Sequence, residues 1–354
     1  MGTIMLGAFT GNVLVITAVF KYERLRAITN FFIVSLAFAD LLVAILVMPF
    51  SASMEMLSGK WVFGRTMCDI FNANDILFST ASLIHLCCIS MDRYIAILHP
   101  LQYETKMTRP RALLMLGVTW VASILISYIP VYSQLYTTEE TLNELNTNPD
   151  LCQFKVNAIY AGVSSSVSFW IPCLIMIFIY LRIFLEARKQ EKLIQSSTLY
   201  MHYSDTRRYS EYNGEGGPPD SDTQRFERRR MKREHKAAKT LGIIMGAFII
   251  CFLPFFSWYV VTTSCGDACP YPPLLGSALF WVGYFNSCLN PIIYAYFNRE
   301  FRNAFKKILH LERVPCDGTS DPTTRALNTS FVTTTHRDSA TVRLSLSSGN
   351  RRVS

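Results

Sequence analysis

Long apolar blocks with almost no charged residues dominate this chain. Hydrophobic residues make up 50% of its 354 residues, and charged residues only 17%. The blocks lie at residues 1–20, 31–50, 69–91, 112–133, 158–181, 240–262 and 274–297. About 20 apolar residues in a helix cross the roughly 30 Å hydrocarbon core of a bilayer, where a helix satisfies its own backbone groups. The pattern predicts an all-α membrane protein, a seven-transmembrane helix bundle whose members we call spans one to seven.

Basic residues between the blocks predict the orientation of the bundle. The formal net charge of +8 lies in loops, which indicates membrane topology rather than a nucleic-acid partner. The stretch 182–239 is strongly basic, whereas the loop at 134–156 carries four acidic residues and one lysine. The positive-inside rule therefore predicts a multi-pass membrane protein with its N-terminus outside and its C-terminus in the cytoplasm. Span one starts at Met1 with no cleavable signal pattern before it, which is compatible with a longer natural N-terminus.

The cytoplasmic segments are polar. Within a bundle domain of residues 1–310, the part of the third cytoplasmic loop at 196–230 contains EYNGEGGPPDSDTQ and is predicted to be disordered, as is the tail 311–354. Between span seven and this tail, NREFRNAFKKILHL is amphipathic and basic, which predicts a short helix on the inner membrane surface. Cys316 follows that helix and is a candidate for palmitoylation. Membrane lipids are therefore expected partners.

Asp75 is the most informative polar residue, because it lies inside span three near the outer end with no neutralising residue nearby in sequence. An ionisable group at membrane depth is costly and indicates a functional site by default. A carboxylate that pairs with another helix is the purely structural alternative. We favour a counter-ion for the ammonium group of a small ligand that enters from outside.

Arg93 lies 18 residues after Asp75, which is five helical turns, so both side chains project from one face of span three. At 1.5 Å per residue they are about 27 Å apart, close to the membrane thickness. Asp92 is positioned to hold Arg93, and Glu234 at the inner start of span six is a second candidate partner. A simple ion pair at a helix end is the alternative interpretation of Asp92 and Arg93.

Spans five and six carry polar and aromatic side chains that suit an aromatic amine. Ser164 and Ser168 share a helix face near the outer end of span five, with Ser165 beside it, and could bind phenolic hydroxyls. Backbone bonding or helix packing is the structural alternative for these serines. An aromatic stripe on span six comprises Phe248, Phe252, Phe255, Phe256 and Tyr259. Such a stripe is usually packing, but it also forms an apolar and cation–π wall opposite a carboxylate.

Prolines and further polar residues inside the spans predict hinges and an ion site. Pro254 interrupts the helix hydrogen bonds of span six and is a candidate hinge, and Pro172 and Pro291 interrupt spans five and seven. Buried polar residues at matching depths are Asn12, Asp40, Ser82, Ser287 and Asn290. Their oxygen atoms suit water or an allosteric Na⁺ ion, and no other cofactor is expected.

The chain has ten cysteines without the paired Cys/His spacing of a zinc site, so no structural metal is expected. Cys68 at the outer end of span three and Cys152 in the outer loop both face the oxidising side, and a bridge between them would hold that loop over the mouth of the bundle. Cys265 and Cys269 could close a smaller outer loop.

Several motifs in a fixed order carry a resemblance to a known family. They are GNVLV from Gly11, SLAFADLL, the MDRY of residues 91–94, Trp120, Pro172 with Tyr180, CFLPFF, and the NPIIY of residues 290–294. From Gly11 to Phe305 the chain resembles the rhodopsin-like G-protein-coupled receptors. Asp75, the span-five serines, the span-six aromatics and Trp281 with Tyr284 look like the biogenic-amine group. FSTASLIHLCCISMDRY and FWVGYFNSCLNPIIYAYFNREFRNAF look most like invertebrate β-adrenergic-like octopamine receptors.

The resemblance implies roles for single residues. It implies a ligand site of Asp75, Ser79, Ser164, Ser165, Ser168, Phe255, Phe256, Tyr259 and Tyr284, in which Tyr284 hydrogen-bonds the carboxylate. It implies an activation switch of Asp92, Arg93, Tyr94, Tyr180, Glu234, Phe252, Pro254, Asn290, Pro291 and Tyr294. Most of the family carry Trp where Phe252 stands. The implied partners are a cationic amine, a stimulatory G protein that raises cyclic AMP, receptor kinases and arrestin. The RRYS of residues 207–210 and the RRVS of residues 351–354 resemble kinase sites.

Rival classes make different demands on the sequence. A transporter predicts inverted repeats or broken helices at the midplane, which are not visible in the sequence. An intramembrane enzyme would need a nucleophile and base or a metal constellation, and we predict no enzymatic activity. Among amine receptors, a dopamine receptor is the nearest alternative to octopamine, followed by tyramine and serotonin receptors. Three span-five hydroxyls suit a catechol as well as a phenol.

Overall fold

A computed structural model of the protein describes residues 1–148, 150–189, 221–270 and 272–311. For residues 221–238, 241, 267 and 273 it describes the backbone alone. Cys316, the two kinase-like motifs and the tail 312–354 lie outside the described residues. Residues Met1–Leu309 form one compact unit. We call the end of the bundle with Cys68 and Cys152 the outer end, after the predicted topology.

The described elements are helices, and no strand occurs among them. The long helices are Gly2–Lys21, Ile28–Leu46, Gly64–Leu98, Arg109–Tyr132, Ser221–Cys265 and Pro273–Phe297. Span five consists of Ala158–Ser165, a π-helical turn at Ser166–Trp170 and a helix that continues to residue 189. The shorter helices are Met48–Met56, Tyr103–Lys106, Glu139–Thr147 and Arg299–Ile308, with 3₁₀ turns at Glu23–Leu25, Pro100–Gln102 and Gly266–Ala268. This architecture agrees with the predicted all-α bundle.

Six helical stretches are long and apolar enough to cross a bilayer, and they correspond to spans one to six. The predicted seventh span is the helix Pro273–Phe297, whose 25 residues include no charged side chain. The helix of span three extends beyond its apolar block at both ends, since it includes Arg65 near its start and Arg93 near its end. One unbroken helix therefore carries both Asp75 and Arg93, as the 18-residue spacing requires.

Span two is interrupted although the sequence shows one apolar block. The helix Ile28–Leu46 ends at Val47, and a second helix begins at Met48. Pro49 stands in the first turn of this second helix, where its missing N–H has no helical partner to lose. Ser51 on this second helix is buried and interacts with Tyr284 of span seven.

The helix of span six begins at Ser221, inside the segment 196–230 that the sequence predicts to be disordered. The helical part of that segment, SDTQRFERRR, contains good helix formers, and neither Gly nor Pro occurs from Ser221 to Leu241. It extends an existing helix and therefore bears no separate nucleation cost. The rest of the predicted disordered loop lies outside the described residues.

The core is formed by two clusters of buried side chains. The inner cluster includes Phe32, Leu86, Ile89 and Phe248. The helix Arg299–Ile308 buries Phe301 in the same cluster, and Tyr294 stacks on Phe301 with ring centroids 5.2 Å apart. The outer cluster comprises Val43, Met48, Trp61, Phe71, Tyr284 and others around the disulfide of Cys68. Packing thus fixes the spans separately above and below the polar residues at mid-depth.

Candidate ligand site and its inner counterpart

Asp75 lies on the inner wall of the bundle at its outer end. The Tyr284 hydroxyl interacts with the Asp75 carboxyl and also with Ser51, which joins spans three, seven and two at one point. Among the residues that the structure describes, no cationic side chain forms an ion pair with Asp75. Within the described part of the chain, this partly buried carboxylate is hydrogen-bonded to a hydroxyl and to no cation, which suits it to bind a cation from outside. Ser79 is partly buried four residues further along the same helix face.

The span-five serines are buried together but are bonded differently. The Ser164 Oγ lies 3.5 Å from the Ala161 carbonyl and 3.4 Å from the Tyr259 hydroxyl. The Ser165 hydroxyl donates to the Gly162 carbonyl at 3.3 Å. The Ser168 Oγ instead accepts a hydrogen bond from Thr80 of span three at 3.0 Å. The structure therefore brings the three predicted serines to one wall, and it adds Thr80, which the sequence analysis missed.

Aromatic side chains of spans five, six and seven form a continuous wall beside these serines. Phe256 stacks on Phe169 at 4.5 Å between ring centroids, with an angle of 9° between the ring planes. Phe255 packs on Phe280 of span seven at 4.9 Å and stacks on Tyr259 at 6.0 Å. Such a wall would enclose an aromatic ring whose ammonium group reaches Asp75. Phe169 and Phe280 were not part of the predicted stripe, because that stripe contained residues of span six alone.

Both predicted disulfides are present at the outer end. Cys68 is bonded to Cys152 with a Cα–Cα distance of 5.8 Å, and Cys265 is bonded to Cys269. The first disulfide attaches the outer loop to the start of span three. The Trp61 backbone N–H donates to the Asp150 carbonyl at 2.8 Å, which fixes the same loop at a second point. The loop is therefore attached at two points to the outer end of the bundle.

At the inner end of span three, Asp92 is buried and fully hydrogen-bonded. The Arg93 Nε donates to Asp92 Oδ2 at 2.9 Å, and the Thr29 hydroxyl donates to the same oxygen at 2.7 Å. The Tyr103 hydroxyl donates to Asp92 Oδ1 at 2.7 Å. Burial raises the pKa of Tyr103 to about 12, so this hydroxyl stays protonated and remains a donor. The Arg93 guanidinium also contacts Thr29.

The sequence analysis missed Thr29 and Tyr103, which lie on span two and on the loop helix after span three. Nothing in their local sequence marks them as partners of Asp92, because the contact exists only once the helices are packed. Glu234 lies on the span-six helix, but its side chain is outside the described residues, so its pairing with Arg93 stays a prediction.

Other predicted switch residues pack closely between helices. The Tyr180 ring lies directly against Gly242 of span six, where a Cβ atom would overlap it. Phe252 stacks on Phe248 at 4.4 Å, and its Cε1 would be 3.2 Å from a Cβ atom at Gly283. Phe252 therefore fills its place against the backbone of span seven. Tyr94 packs at the edge of a small cluster formed by Ile97, Ile179 and Ile183. Pro254 and Pro291 lie within their helices.

Asp40 is the buried acid at mid-depth of the bundle. The Asn290 amide donates to Asp40 Oδ2 at 2.8 Å, and the hydroxyls of Ser287 and Ser82 approach Oδ1 at 3.1 and 3.4 Å. The Asn12 amide donates to the Ser287 carbonyl at 2.9 Å. The structure thus brings together the polar residues that the sequence selected. In the described part of the chain, no cluster of three or more His, Cys, Asp or Glu side chains is placed to hold a metal ion.

Comparison with known proteins assigns the family. Residues 11–294 match the model of the seven-transmembrane receptors of the rhodopsin family. The chain is 53% identical over 313 residues to the octopamine receptor beta-2R of Chilo suppressalis. The aligned region covers 86% of this chain and 77% of that receptor. It is 52% identical over 310 residues to the octopamine receptor beta-1R of Drosophila melanogaster, covering 87% of this chain but only 60% of that receptor.

A third relative has a different named ligand. The D(1C) dopamine receptor of Xenopus laevis is 42% identical over 325 residues, covering 88% of this chain and 67% of that receptor. These relatives are receptors and not enzymes, and the family match confirms the resemblance inferred from the motifs. The matched region extends from within span one to within span seven and includes the outer carboxylate Asp75 and the inner Asp92–Arg93 pair. The chain belongs to the rhodopsin family of seven-transmembrane receptors.

Proposed function

We propose that this chain is a cell-surface receptor for a small phenolic amine, with octopamine as its natural agonist. The observation that carries the proposal is the Asp75 carboxylate, which has a hydroxyl partner in Tyr284 but no ion pair among the described residues. A protonated amine would supply the missing positive charge. The aromatic wall of Phe255, Phe256 and Tyr259 and the three serines of span five would bind the ring and its hydroxyl group.

The choice of octopamine over dopamine rests on the relatives. The two octopamine receptors named above are 53% and 52% identical to this chain, against 42% for the dopamine receptor. The pocket chemistry alone accommodates either ligand, because three hydroxyls can bind a phenol or a catechol. Octopamine carries one ring hydroxyl and dopamine two, so the ranking of the two agonists is a direct test.

On the inner side, we propose coupling to a stimulatory G protein that raises cyclic AMP. A ligand that bridges Asp75 and span five would favour one arrangement of spans three, five and six, and only this difference in affinity shifts the equilibrium. Pro254 would act as the hinge of span six. Its movement would release the close packing of Tyr180 on Gly242 and free Arg93, which opens a cavity for a helix of the G protein.

The polar group around Asp40 fits a sodium ion, and we propose it as an allosteric Na⁺ site. The Asp40 carboxylate with the hydroxyls of Ser82 and Ser287 provides the oxygen ligands that a hard cation prefers, and Asn290 adds an amide. The Asn12 Oδ1 atom next to them is buried without a hydrogen-bond partner among the described residues. The ion would supply the positive charge that this buried carboxylate lacks.

The remaining partners are proposed from the cytoplasmic sequence. The N-terminus is expected outside and the C-terminus inside the plasma membrane, with the basic helix Arg299–Ile308 on the inner leaflet and a palmitoyl group on Cys316. The motifs at 207–210 and 351–354 are expected sites for receptor kinases. Their phosphates would help to dock arrestin.

A potency panel tests the proposal. The full chain would be expressed in cells with a cyclic AMP reporter and stimulated with octopamine, tyramine, dopamine and serotonin. We expect octopamine to raise cyclic AMP at the lowest concentration. Octopamine ranking well below dopamine would reject the ligand, and a response to octopamine without cyclic AMP would reject the G protein. The absence of a response to all four amines would reject the proposal that this chain is an amine receptor.

A further inference from the structure

The three serines of span five that are predicted to bind the ligand, Ser164, Ser165 and Ser168, differ in where their hydroxyl protons go. Ser165 donates to the Gly162 carbonyl of its own helix, and Ser164 lies within reach of the Ala161 carbonyl and the Tyr259 hydroxyl. Both of these serines therefore have acceptors inside the protein. The Ser168 hydroxyl has none among the described residues.

Thr80 accounts for the difference. Its hydroxyl donates to Ser168 Oγ at 3.0 Å, and both residues are buried, with 1% and 5% of their surfaces exposed. Because Thr80 is the donor in this bond, it occupies one of the two lone pairs of Ser168 Oγ, and the proton of Ser168 remains available. A buried hydroxyl proton without an acceptor is unfavourable, so the site is incomplete until a ligand supplies one.

The backbone also prevents the usual alternative for Ser168. A serine in a regular helix can donate to the carbonyl four residues earlier. Ser168 instead lies in the π-helical turn Ser166–Trp170, which widens the helix and changes the carbonyl positions at this point. The π turn and Thr80 thus act together on one hydroxyl group.

We propose that Thr80 is a positioning residue that orients Ser168 to donate a hydrogen bond to the ring oxygen of a phenolic amine. The inference rests on the proposed function and specifies the direction of one hydrogen bond: Ser168 donates it and the ring oxygen of the ligand accepts it. Thr80 itself does not touch the ligand. It sets ligand selectivity for a ring hydroxyl through span three, on the same helix that binds the ammonium group at Asp75.

Matched agonists test the assignment. Octopamine and phenylethanolamine differ only in the ring hydroxyl, so the ratio of their potencies reports the recognition of that group. In Thr80→Val the ratio should fall about 3- to 10-fold, because one hydrogen bond loses its orientation, while phenylethanolamine potency stays unchanged. Thr80→Ser keeps the donor and should restore the ratio. In a Ser168→Ala background, Thr80→Val should have no further effect on the ratio.

Thr119→Val is the matched control, because its hydroxyl is equally buried but donates to the Met115 carbonyl of its own helix. It should leave the ratio unchanged. Surface expression is measured for each variant, and Thr80→Ala replaces Thr80→Val if the valine variant does not reach the surface. Equal losses for both agonists in the Thr80 variants would show that Thr80 acts through packing alone and would overturn the inference. Failure of the unmodified receptor to respond to any amine would instead reject the proposed function.

Discussion

Two aspartates at opposite ends of span three have opposite environments. Asp92 at the inner end receives hydrogen bonds from Arg93, Thr29 and Tyr103, so its charge is neutralised and both of its oxygens are bonded within the protein. Asp75 at the outer end has the Tyr284 hydroxyl and no ion pair among the described residues. The Asp92 carboxylate thus has its countercharge within the folded chain, whereas Asp75 has none among the described residues.

The contrast separates a structural use of charge from a binding use. A buried ion pair with satisfied hydrogen bonds holds helices in one arrangement, and its loss leaves an unpaired charge. A carboxylate without a countercharge gains most from a ligand that carries one. Span three therefore connects a carboxylate without an ion pair at its outer end, Asp75, to a paired carboxylate at its inner end, Asp92.

The largest effect is expected for Asp75→Asn. Removal of the Asp75 charge should lower amine potency about 100-fold or more, as when one partner of a buried charge pair is deleted. Asp69→Asn is the control, because Asp69 lies on the same helix and is already paired with Arg65 at 3.1 Å. Cyclic AMP dose–response curves measure both. Equal losses in the two variants would mean that the outer charges act only through general attraction.

The second prediction concerns the loop over the outer site. Replacing both Cys68 and Cys152 by serine removes a link across a separation of 84 residues and should lower the free energy of unfolding by about 2–5 kcal/mol. Thermal unfolding in detergent, with and without agonist, measures it. The Cys265→Ser/Cys269→Ser receptor lacks a disulfide that spans a separation of only 4 residues. Its free energy of unfolding should therefore fall by less. A larger loss in this second variant would contradict the expected importance of the long loop.

At the inner site, Tyr103→Phe should leave Asp92 Oδ1 without its donor. We expect a loss of about 1–3 kcal/mol in stability and a higher basal cyclic AMP level, because Asp92 holds Arg93 less firmly. Tyr132→Phe serves as the control, since Tyr132 is 55% exposed at the outer end of span four. An unchanged melting temperature in Tyr103→Phe would show that water replaces the hydroxyl without cost.

The smallest effect is expected for a pair of glycines on span six. Gly242→Ala places a methyl group in the Tyr180 ring and should destabilise the receptor by about 1 kcal/mol after the gain in helix propensity is subtracted. Gly246 has no atom within 4 Å of the added Cβ, so Gly246→Ala should be neutral or slightly stabilising. A lower melting temperature for Gly242→Ala, together with an unchanged or higher one for Gly246→Ala, would support the packing of Tyr180 on Gly242. A stabilised Gly242→Ala would contradict it.

The sequence predicted a good part of the site, and for specific reasons. Asp75 stood out because a carboxylate inside an apolar block is unusual wherever its neighbours are. The disulfides followed from cysteines on the predicted oxidising side, and Asp40 was grouped with Ser287 and Asn290 through their depth in the spans. Thr29, Thr80 and Tyr103 could not be found in this way. Each is an ordinary polar residue whose role depends on a partner from another helix.

Two features of the backbone also escaped the sequence patterns. The π turn at Ser166–Trp170 has no distinct signal in a run of serines and apolar residues, since hydrophobic blocks report length and not the number of residues per turn. The helical segment 221–230 was not indicated by the polar, Gly-, Pro- and Ser-rich composition of residues 196–230. Its attachment to span six supplies the nucleus that an isolated segment of this kind would lack.

What the sequence determined by itself is the membrane bundle and the placement of Asp75 and Arg93 towards opposite ends of one face of span three, and its charge bias predicts the direction of the bundle. Apolar length, charge bias and helical spacing are local properties of the chain, and each can be counted without knowing the fold. Only the tertiary structure decided that Asp92 has its hydrogen bonds and ion pair satisfied while Asp75 has no ion pair among the described residues, and that Thr80 donates a hydrogen bond to Ser168. Hydrogen bonds between helices depend on distances of about 3 Å, which are set by packing and not by position in the chain.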